Sequence, residues 1–322
     1  MSRILTGDKL VESIRNRAMI PDDTSVYTDD NILDIANEEI DVQLLDKLMS
    51  LHEEHLTVHV DMPKSADGVY DIPYRAIGNK LRDIQMFVGG SNYEMAQVSI
   101  GALSDYTSDN TTQDNGMDKF YVESNQIKVI QPSKSYDSIR VYYYIRPNVL
   151  TKTDQAGAIS SIVKDEDNDE ITFNFTSLPN KFTSSLDYDI VGFRSPNKIK
   201  SWDLTPLEVN TGLNTIKFKL SDLGDACNDI VSGDYVCKAE ESPVPNLPTE
   251  MHPVLAQLAA VHILEAMGDT EGLTNAQRRL DKMNASVMQL VDDRVELAPK
   301  KIKPRNGTLS QVGFGRTKRR GR

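Results

Sequence analysis

The sequence predicts an α+β fold with three parts: a helical bundle built from the N- and C-terminal helices, a large inserted antiparallel β-sandwich or β-barrel domain, and an extended basic C-terminal arm. Near both ends of the chain, apolar residues recur every three or four positions, as in amphipathic helices. The middle contains short alternating runs of Val, Ile, Tyr, Thr and Phe, which are typical of strands. The last 23 residues contain nine Lys or Arg and no Asp or Glu, and too few apolar residues to fold alone.

Two helices are predicted in the first 60 residues. The first runs from Thr6, a residue type that often caps a helix N-terminus, to about Met19, and its apolar stripe consists of Leu10, Val11, Ile14 and Ala18. The second runs from about Thr28 to Leu56, and its stripe consists of Leu33, Ala36, Ile40, Leu44, Leu48 and Leu51. Each helix has one apolar face and therefore needs a packing partner.

Short strands separated by polar turns are predicted from about residue 57 onward. The predicted strands are residues 97–103, 119–123, 126–130, 138–145, 158–163, 171–175, 188–193, 215–220 and 235–239. Their spacing of about 10 to 20 residues, without intervening helices, indicates antiparallel sheets in a sandwich or barrel. The polar residues 104–118 are predicted to form a loop.

Two more helices are predicted after a stiff linker at residues 242–248, which contains three prolines. Thr249 is the expected N-cap of the first, and Gly268 follows its end. Thr270 begins the second, which carries a heptad-like seam of Leu273, Ala276, Leu280, Met283, Val287 and Leu290. Three heptads are short for a coiled coil, so an antiparallel helical hairpin is predicted.

These elements predict four segments along the chain. Residues 1–60 supply the N-terminal helices of the bundle, and residues 61–245 form the inserted β domain. Residues 246–297 supply the C-terminal helical hairpin of the bundle, and residues 298–322 form the basic tail. The helices at the two ends can bury their apolar faces together, which makes the β region an insertion between the second and third helices.

The composition excludes several classes of protein. Hydrophobic residues make up 39% of the 322 residues and charged residues 26%, and no run of about 18 apolar residues exists to cross a membrane. The charged N-terminus lacks the apolar stretch of a secretory signal. Two cysteines, Cys227 and Cys237, are too few for a disulfide framework or a four-thiolate zinc site, and they are expected to be reduced.

Three histidines have a spacing that a metal site could use. His52, His55 and His59 would share one face of a continuous helix, a spacing that metals use, but the sequence lacks the H-E-x-x-H motif. A polar helix end is the favoured interpretation.

Three aspartates resemble the start of a calcium loop. Asp165, Asp167 and Asp169 have the right spacing, but Glu170 occupies the position where such a loop requires glycine. A turn between two strands is the favoured interpretation.

No catalytic motif is found in the sequence. G-x-S-x-G, the P-loop and G-x-G-x-x-G are absent, so we expect a protein that is not an enzyme and needs no cofactor. A carbohydrate-binding or hydrolytic β domain finds little support, because Trp202 is the single tryptophan.

Charge is divided sharply along the chain. The tail after residue 299 carries nine positive charges, while the preceding residues hold 27 basic against all 48 acidic residues, a net charge of −21. Leu309, Val312 and Phe314 are spaced within the tail like apolar anchors. Such a tail fits a segment that orders on a partner protein; a solvated tail or a nucleic-acid-binding arm are the alternatives.

Five passages, together with the order of helices, β region, helices and basic tail, carry a resemblance to a known family. The passages are residues 28–39, 72–84, 141–147, 233–236 and 247–253. The chain resembles the head–tail adaptor (connector or neck ring) proteins of tailed bacteriophages, and in particular the tail-tubular-A-like type of short-tailed phages.

The resemblance implies a structural virion protein. Such adaptors form a ring, typically of twelve copies, beneath the portal of the capsid, and they line part of the channel through which DNA is ejected without specific binding. The implied partners are the portal protein, tail, nozzle or other neck proteins, and further copies of the chain, with no membrane. The implied location is the virion neck, and the host cytoplasm during assembly.

In this family the C-terminal arm docks into grooves of the portal, and the β region faces the tail. The residues of this chain that the resemblance assigns to portal binding are Lys300, Lys301, Lys303, Arg305, Leu309, Val312, Phe314, Arg316, Lys318, Arg319, Arg320 and Arg322.

Overall fold

The computed structural model describes residues 4–21, 26–51, 53–103, 118–130, 135–194 and 197–291. These residues belong to one compact unit, Met1–Asp292. They form a mixed α+β structure with several antiparallel sheets, as predicted. No described helix has the length and apolar character that spanning a membrane requires.

The helices lie at the two ends of the described chain, with one short exception. In chain order, they are α1 (Gly7–Ala18), α2 (Asp29–Glu39), a π-helical turn (Ile40–Leu44), α3 (Leu45–Leu51), α4 (Leu220–Leu223), α5 (His252–Met267) and α6 (Thr270–Val291).

The strands lie between these helices. They are β1 (Thr57–Pro63), β2 (Val69–Asp71), β3 (Ala76–Val88), β4 (Ser91–Glu94), β5 (Ala96–Gln97), β6 (Lys119–Glu123), β7 (Gln126–Ile130), β8 (Ser138–Ile145), β9 (Val149–Leu150), β10 (Gly157–Asp165), β11 (Glu170–Phe175), β12 (Tyr188–Val191), β13 (Ile199–Leu204), β14 (Glu208–Asn210), β15 (Thr215–Lys219), β16 (Tyr235–Lys238) and β17 (Glu241–Ser242).

The terminal helices share one hydrophobic core. Helix α5 packs against α1, α2 and α6, and its Leu255, Ala259 and Ile263 are fully buried together with Leu10 and Ile14 of α1. The seam of α6 faces the same core through its buried and half-buried residues Leu273, Ala276, Leu280, Met283 and Val287. Helices α5 and α6 pack against each other, and the chain turns between them at Gly268, which lies in the left-handed region at φ 73°.

The second helix is shorter than predicted. The helical segment ends at Leu51 instead of near Leu56, because the chain turns through a 3-10 helix at Glu53–His55 into β1. The Tyr144 hydroxyl donates a hydrogen bond of 2.8 Å to the Glu53 carboxylate, and β1 pairs antiparallel with β8. The residues after Leu56 therefore form hydrogen bonds with the neighbouring strand β8 and not within a helix.

Two four-stranded sheets share a second core. Their strand orders are β1-β8-β3-β4 and β2-β7-β6-β5. Ile84 and Met86 of β3 and Val141 of β8 are fully buried in the same cluster as Ile127 of β7 and the nearly buried Phe120 of β6. Side chains from two sheets thus fill one layer, as in a sandwich.

A seven-stranded sheet, in the order β13-β12-β16-β10-β11-β15-β14, has its own core. Phe173, Tyr188, Ile216 and Phe218 are fully buried in it. Every sheet among the described residues ends in two edge strands, so these sheets are open and the barrel, one of the two predicted alternatives, is wrong.

Most predicted strands lie within one or two residues of the observed ones, but residues 97–103 are an exception. Strand β5 ends at Gln97 and is followed by a 3-10 helix, Ile100–Ala102. Strand β3 was missed although it has 13 residues. Gly78 and Asn79 have φ of 55° and 56°, which interrupts the alternation and shifts its register. The predicted loop at residues 104–118 lies outside the described residues, apart from Asp118.

The predicted N-cap at Thr249 is also wrong. Thr249–Met251 form a 3-10 helix, and α5 begins only at His252. The Thr249 hydroxyl makes no hydrogen bond with the described residues. Pro253 occupies the first turn of α5, where its missing N–H is tolerated.

Candidate functional site

The twelve residues assigned to portal binding, from Lys300 to Arg322, lie outside the described residues. Their role stays a prediction. The described part of the chain nevertheless places several charged and polar groups that local sequence patterns had not singled out. They lie on the surface of the helical core and where the sheets meet the linker before α5.

A groove of about 610 Å³ lies between α1 and α6. We call it the cationic groove, and we define it by Lys9, Arg17 and Arg279 with the 87% exposed Met19 beside them. One carboxylate, Glu12, also lines it. No described carboxylate forms an ion pair with any of the three cations.

Arg17 is held in the groove by neutral groups. It donates hydrogen bonds to the Gln257 side-chain oxygen at 2.8 Å and to the Ser13 hydroxyl at 3.3 Å. Gln257 is itself buried and donates to the Ala276 carbonyl. Burial, and after it the positive charge of Arg279, lowers the pKa of the Arg17 guanidinium. The groove therefore holds a fixed, partly desolvated cation that an incoming carboxylate would stabilise.

Exposed acidic side chains line the outer surface of α2, the π-helical turn and α3. We call this surface the acidic ridge, and we define it by Asp34, Glu38, Asp41 and Asp46 with the 69% exposed Val42. Asp34, Glu38, Val42 and Asp46 follow one another at intervals of four residues, so they form a row along the helix. None of the four carboxylates forms an ion pair with a described residue.

A buried carboxylate anchors the π-helical turn to α5. Glu39 Oε1 lies 2.8 Å from His262 Nδ1, and Glu39 Oε2 accepts a hydrogen bond of 2.7 Å from Gln43. A pocket of about 240 Å³ opens beside them, with Glu265 on its rim. The pairing orients the His262 ring, and it brings no nucleophile into reach.

A buried ion-pair network joins the sheets to the linker. Arg75, which precedes β3, contacts the Asp189 carboxylate of β12 with both terminal nitrogens, at 3.0 and 2.7 Å. It also donates to the Asn148 side chain at 2.6 Å. Asn148 in turn donates to the Glu241 carbonyl, and its backbone N–H donates to Asn246.

The network keeps Arg75 charged although it is only 4% exposed. Burial opposes the charge, but the hydrogen bonds and negative charge of Asp189 outweigh it and raise the pKa of Arg75. Burial raises the pKa of the neighbouring Asp203, and it outweighs the hydrogen bond from Tyr74 and the positive charge of Arg75, which lower the pKa. The arrangement can fix the two β cores and the linker in one geometry.

His252 ties the chain start to the start of α5. The backbone N–H of Leu5 donates to His252 Nδ1 at 3.2 Å, so the neutral ring carries its proton on Nε2, 3.2 Å from the Leu247 carbonyl. Burial, which outweighs the hydrogen bonds of the backbone, lowers the pKa of His252 to about 4.

The metal-site alternatives find no support among the described residues. His55 lies in the 3-10 helix and His59 on β1, so the continuous helix that would align them is absent, and His52 lies outside the described residues. Asp167 and Asp169 lie in the turn between β10 and β11, as predicted, with Asp165 paired to Glu170 at its base. The described residues contain no cluster of three His, Cys, Asp or Glu placed to hold a metal.

The chain matches no protein-family model, and no curated protein sequence matches it.

The sequence did contain signals for the groove and the network. Gln257 is a polar residue within the apolar stretch of α5, and such a residue needs a buried partner, which turned out to be Arg17. Arg75 lies within residues 72–84, one of the passages that carry the resemblance, but no neighbouring residue indicates its partner Asp189, which is 114 residues away.

Proposed function

We propose that this chain is a structural adaptor of a phage neck. It forms a ring beneath the portal, docks its C-terminal arm into the portal, links the capsid to the tail, and lines part of the DNA channel. The observation that carries the proposal is the separation of charge between an acidic body of net charge −21 and a tail of nine cations without a single acid.

The acidic body supports a role beside transiting DNA. A surface of net negative charge repels phosphates, so a channel that it lines does not retain DNA. The Arg75 network also favours a structural role, because it ties the two β cores and the linker before α5 into one body. A body that keeps its shape can hold the capsid at one end and the tail at the other in a fixed relative position.

The composition of the tail favours docking to a protein. Its cations seek an acidic surface, and Leu309, Val312 and Phe314 supply apolar contacts worth about 1.5–3 kcal/mol each before the cost of ordering the segment. Because a ring presents many tails together, modest contacts for each copy add up to firm attachment. Because this affinity requires the grooves of the portal, a free subunit does not attach through its tail before the portal is present.

Deleting residues 300–322 tests the proposal. We expect the shortened chain to keep the thermal unfolding midpoint of the full chain and to lose co-sedimentation with portal-containing particles. A second variant, Leu309→Ser with Val312→Ser and Phe314→Ser, keeps all nine charges and should also lose attachment. If the deleted chain still joins the particles, the role given to the tail is wrong.

The nine cations favour nucleic acid binding as a second candidate. In that case affinity for DNA falls linearly in log salt, with a slope of up to about −8 if nine phosphates are neutralised. The serine variant separates the candidates, because it keeps its charges and would bind DNA as the full chain does. Attachment to particles that persists after nuclease treatment favours the adaptor.

A further inference from the structure

Two surfaces of the terminal helices carry opposite charges that form no ion pair with a described residue. The cationic groove presents Lys9, Arg17 and Arg279 between α1 and α6. The acidic ridge presents four carboxylates along α2, the π-helical turn and α3. The two surfaces are built from different helices, so each is open to a separate partner.

Each surface also exposes one large apolar side chain. Met19 is 87% exposed beside the groove, and Val42 is 69% exposed within the ridge. A large apolar side chain among charges is typical of a contact surface, since burial would stabilise it and the charges would set the register. The π-helical turn places residues 41–43 in succession on the exposed side, and Glu39 holds that turn to His262.

We propose that the cationic groove of one copy receives the acidic ridge of a second copy of this chain. The contact is head to tail, because groove and ridge are different surfaces. Every added copy again offers a free groove and a free ridge, so the contact builds a closed ring or an open filament. The inference rests on the proposed function in that it names the surfaces by which the ring would close.

Charge complementarity selects the second copy over the other occupants. The chain's own basic tail complements the ridge, but it is repelled by the groove. DNA complements the groove, but it is repelled by the ridge. A contact between two copies instead pairs the groove of one with the ridge of the other, and it brings carboxylates to Arg17, whose present hydrogen-bond partners are neutral.

A charge swap in two separate variants of the full chain tests the proposal. The groove variant carries Lys9→Glu and Arg279→Glu, and the ridge variant carries Glu38→Lys and Asp46→Lys; all four side chains are exposed, so the fold is expected to persist. The matched control carries Lys219→Glu and Glu94→Lys, which are exposed on the sheets. Association is measured by sedimentation velocity at about 0.05 M and about 0.5 M salt, where screening differs strongly.

We expect the full chain and the control to associate at low salt and to dissociate at high salt. Each swapped variant alone should associate about tenfold more weakly or worse, since like charges then meet. An equimolar mixture of the two variants should associate again, because the acidic groove of one variant fits the basic ridge of the other.

Three results would overturn the inference: a full chain that stays monomeric at low salt, variants that associate as the full chain does, or a mixture that fails to recover. If the variants still join portal-containing particles through their tails in any of these cases, the proposed function survives and only this contact is lost.

Discussion

Arg75 shows how much one buried charge depends on its partners. Its guanidinium and the Asp189 carboxylate are 3% and 0% exposed and lie 2.7 Å apart. Such a pair adds little net stability over a well-packed apolar pair, but loss of one member leaves the other charge buried and uncompensated. We therefore expect the network to specify the geometry of the sheets and linker more than it stabilises them.

We expect Arg75→Ala to lower the free energy of unfolding by about 3–5 kcal/mol, because it strands Asp189 in the interior. Urea unfolding followed by circular dichroism measures the change. Arg146→Ala, at a nearby exposed arginine, is the matched control and should stay within about 0.5 kcal/mol of the original chain. Equal effects of the two substitutions would contradict the role given to the network.

His252 makes stability depend on pH. Its pKa is about 4 in the folded chain and about 6.5 when unfolded, so the unfolded chain binds the proton more readily. Stability from this group is complete above pH 6.5 and is lost as the pH falls toward 4.

Between pH 7.5 and pH 5, we expect the original chain to lose about 2 kcal/mol more unfolding free energy than His252→Gln, which cannot titrate. Urea unfolding at the two pH values gives both numbers. Parallel losses in the two chains would show that His252 is not held neutral by burial.

The first residue of helix α1, Gly7, lies against the backbone of Thr151, which follows β9. The Gly7 N–H donates to the Pro243 carbonyl at 2.7 Å, and a Cβ on Gly7 would collide with the Thr151 carbonyl oxygen. The start of α1 is thereby fixed to two distant backbone segments, which only glycine permits.

We expect Gly7→Ala to destabilise the chain by about 1–3 kcal/mol through this collision. Gly101→Ala is the control, because a Cβ there meets no atom within 4 Å. Thermal unfolding of the two variants side by side measures the difference, and a Gly7 variant as stable as the Gly101 variant would refute the close approach.

Local patterns predicted the helices and strands that pack through regular faces. The seam of α6 and the alternation of β8 and β11 repeat with the period of their own element, so the sequence alone reveals them. Strand β3 was missed because two positive-φ residues break its period. The π-helical turn was missed because Ile40 and Leu44 fit an α-helical spacing equally well.

Contacts between distant segments explain the rest. The groove needs Arg17 and Arg279 from opposite ends of the chain, and Glu39 meets His262 across 223 residues. No local window contains such pairs. The charge of the tail, by contrast, comes from consecutive residues and is visible in the sequence. The tail could therefore be predicted as a partner-binding segment, while the groove could not.

The division of charge unites these observations into one account. The body is acidic, and the Arg75 network links its parts. Its groove and its ridge carry complementary charges. The basic tail would complement an acidic partner surface. An adaptor needs these three properties: rigidity, contact with its own copies, and an attachment that forms only on assembly. In the proposed function the tail supplies the attachment, so the proposal depends above all on the tail.

A cryo-electron microscopy reconstruction of the full chain assembled on portal-containing particles tests this attachment most directly. The account predicts ordered density for residues 300–322 within a groove of a neighbouring portal chain, with Leu309, Val312 and Phe314 buried against it. A ring that is held to the particle while these residues contact no other protein chain would contradict it.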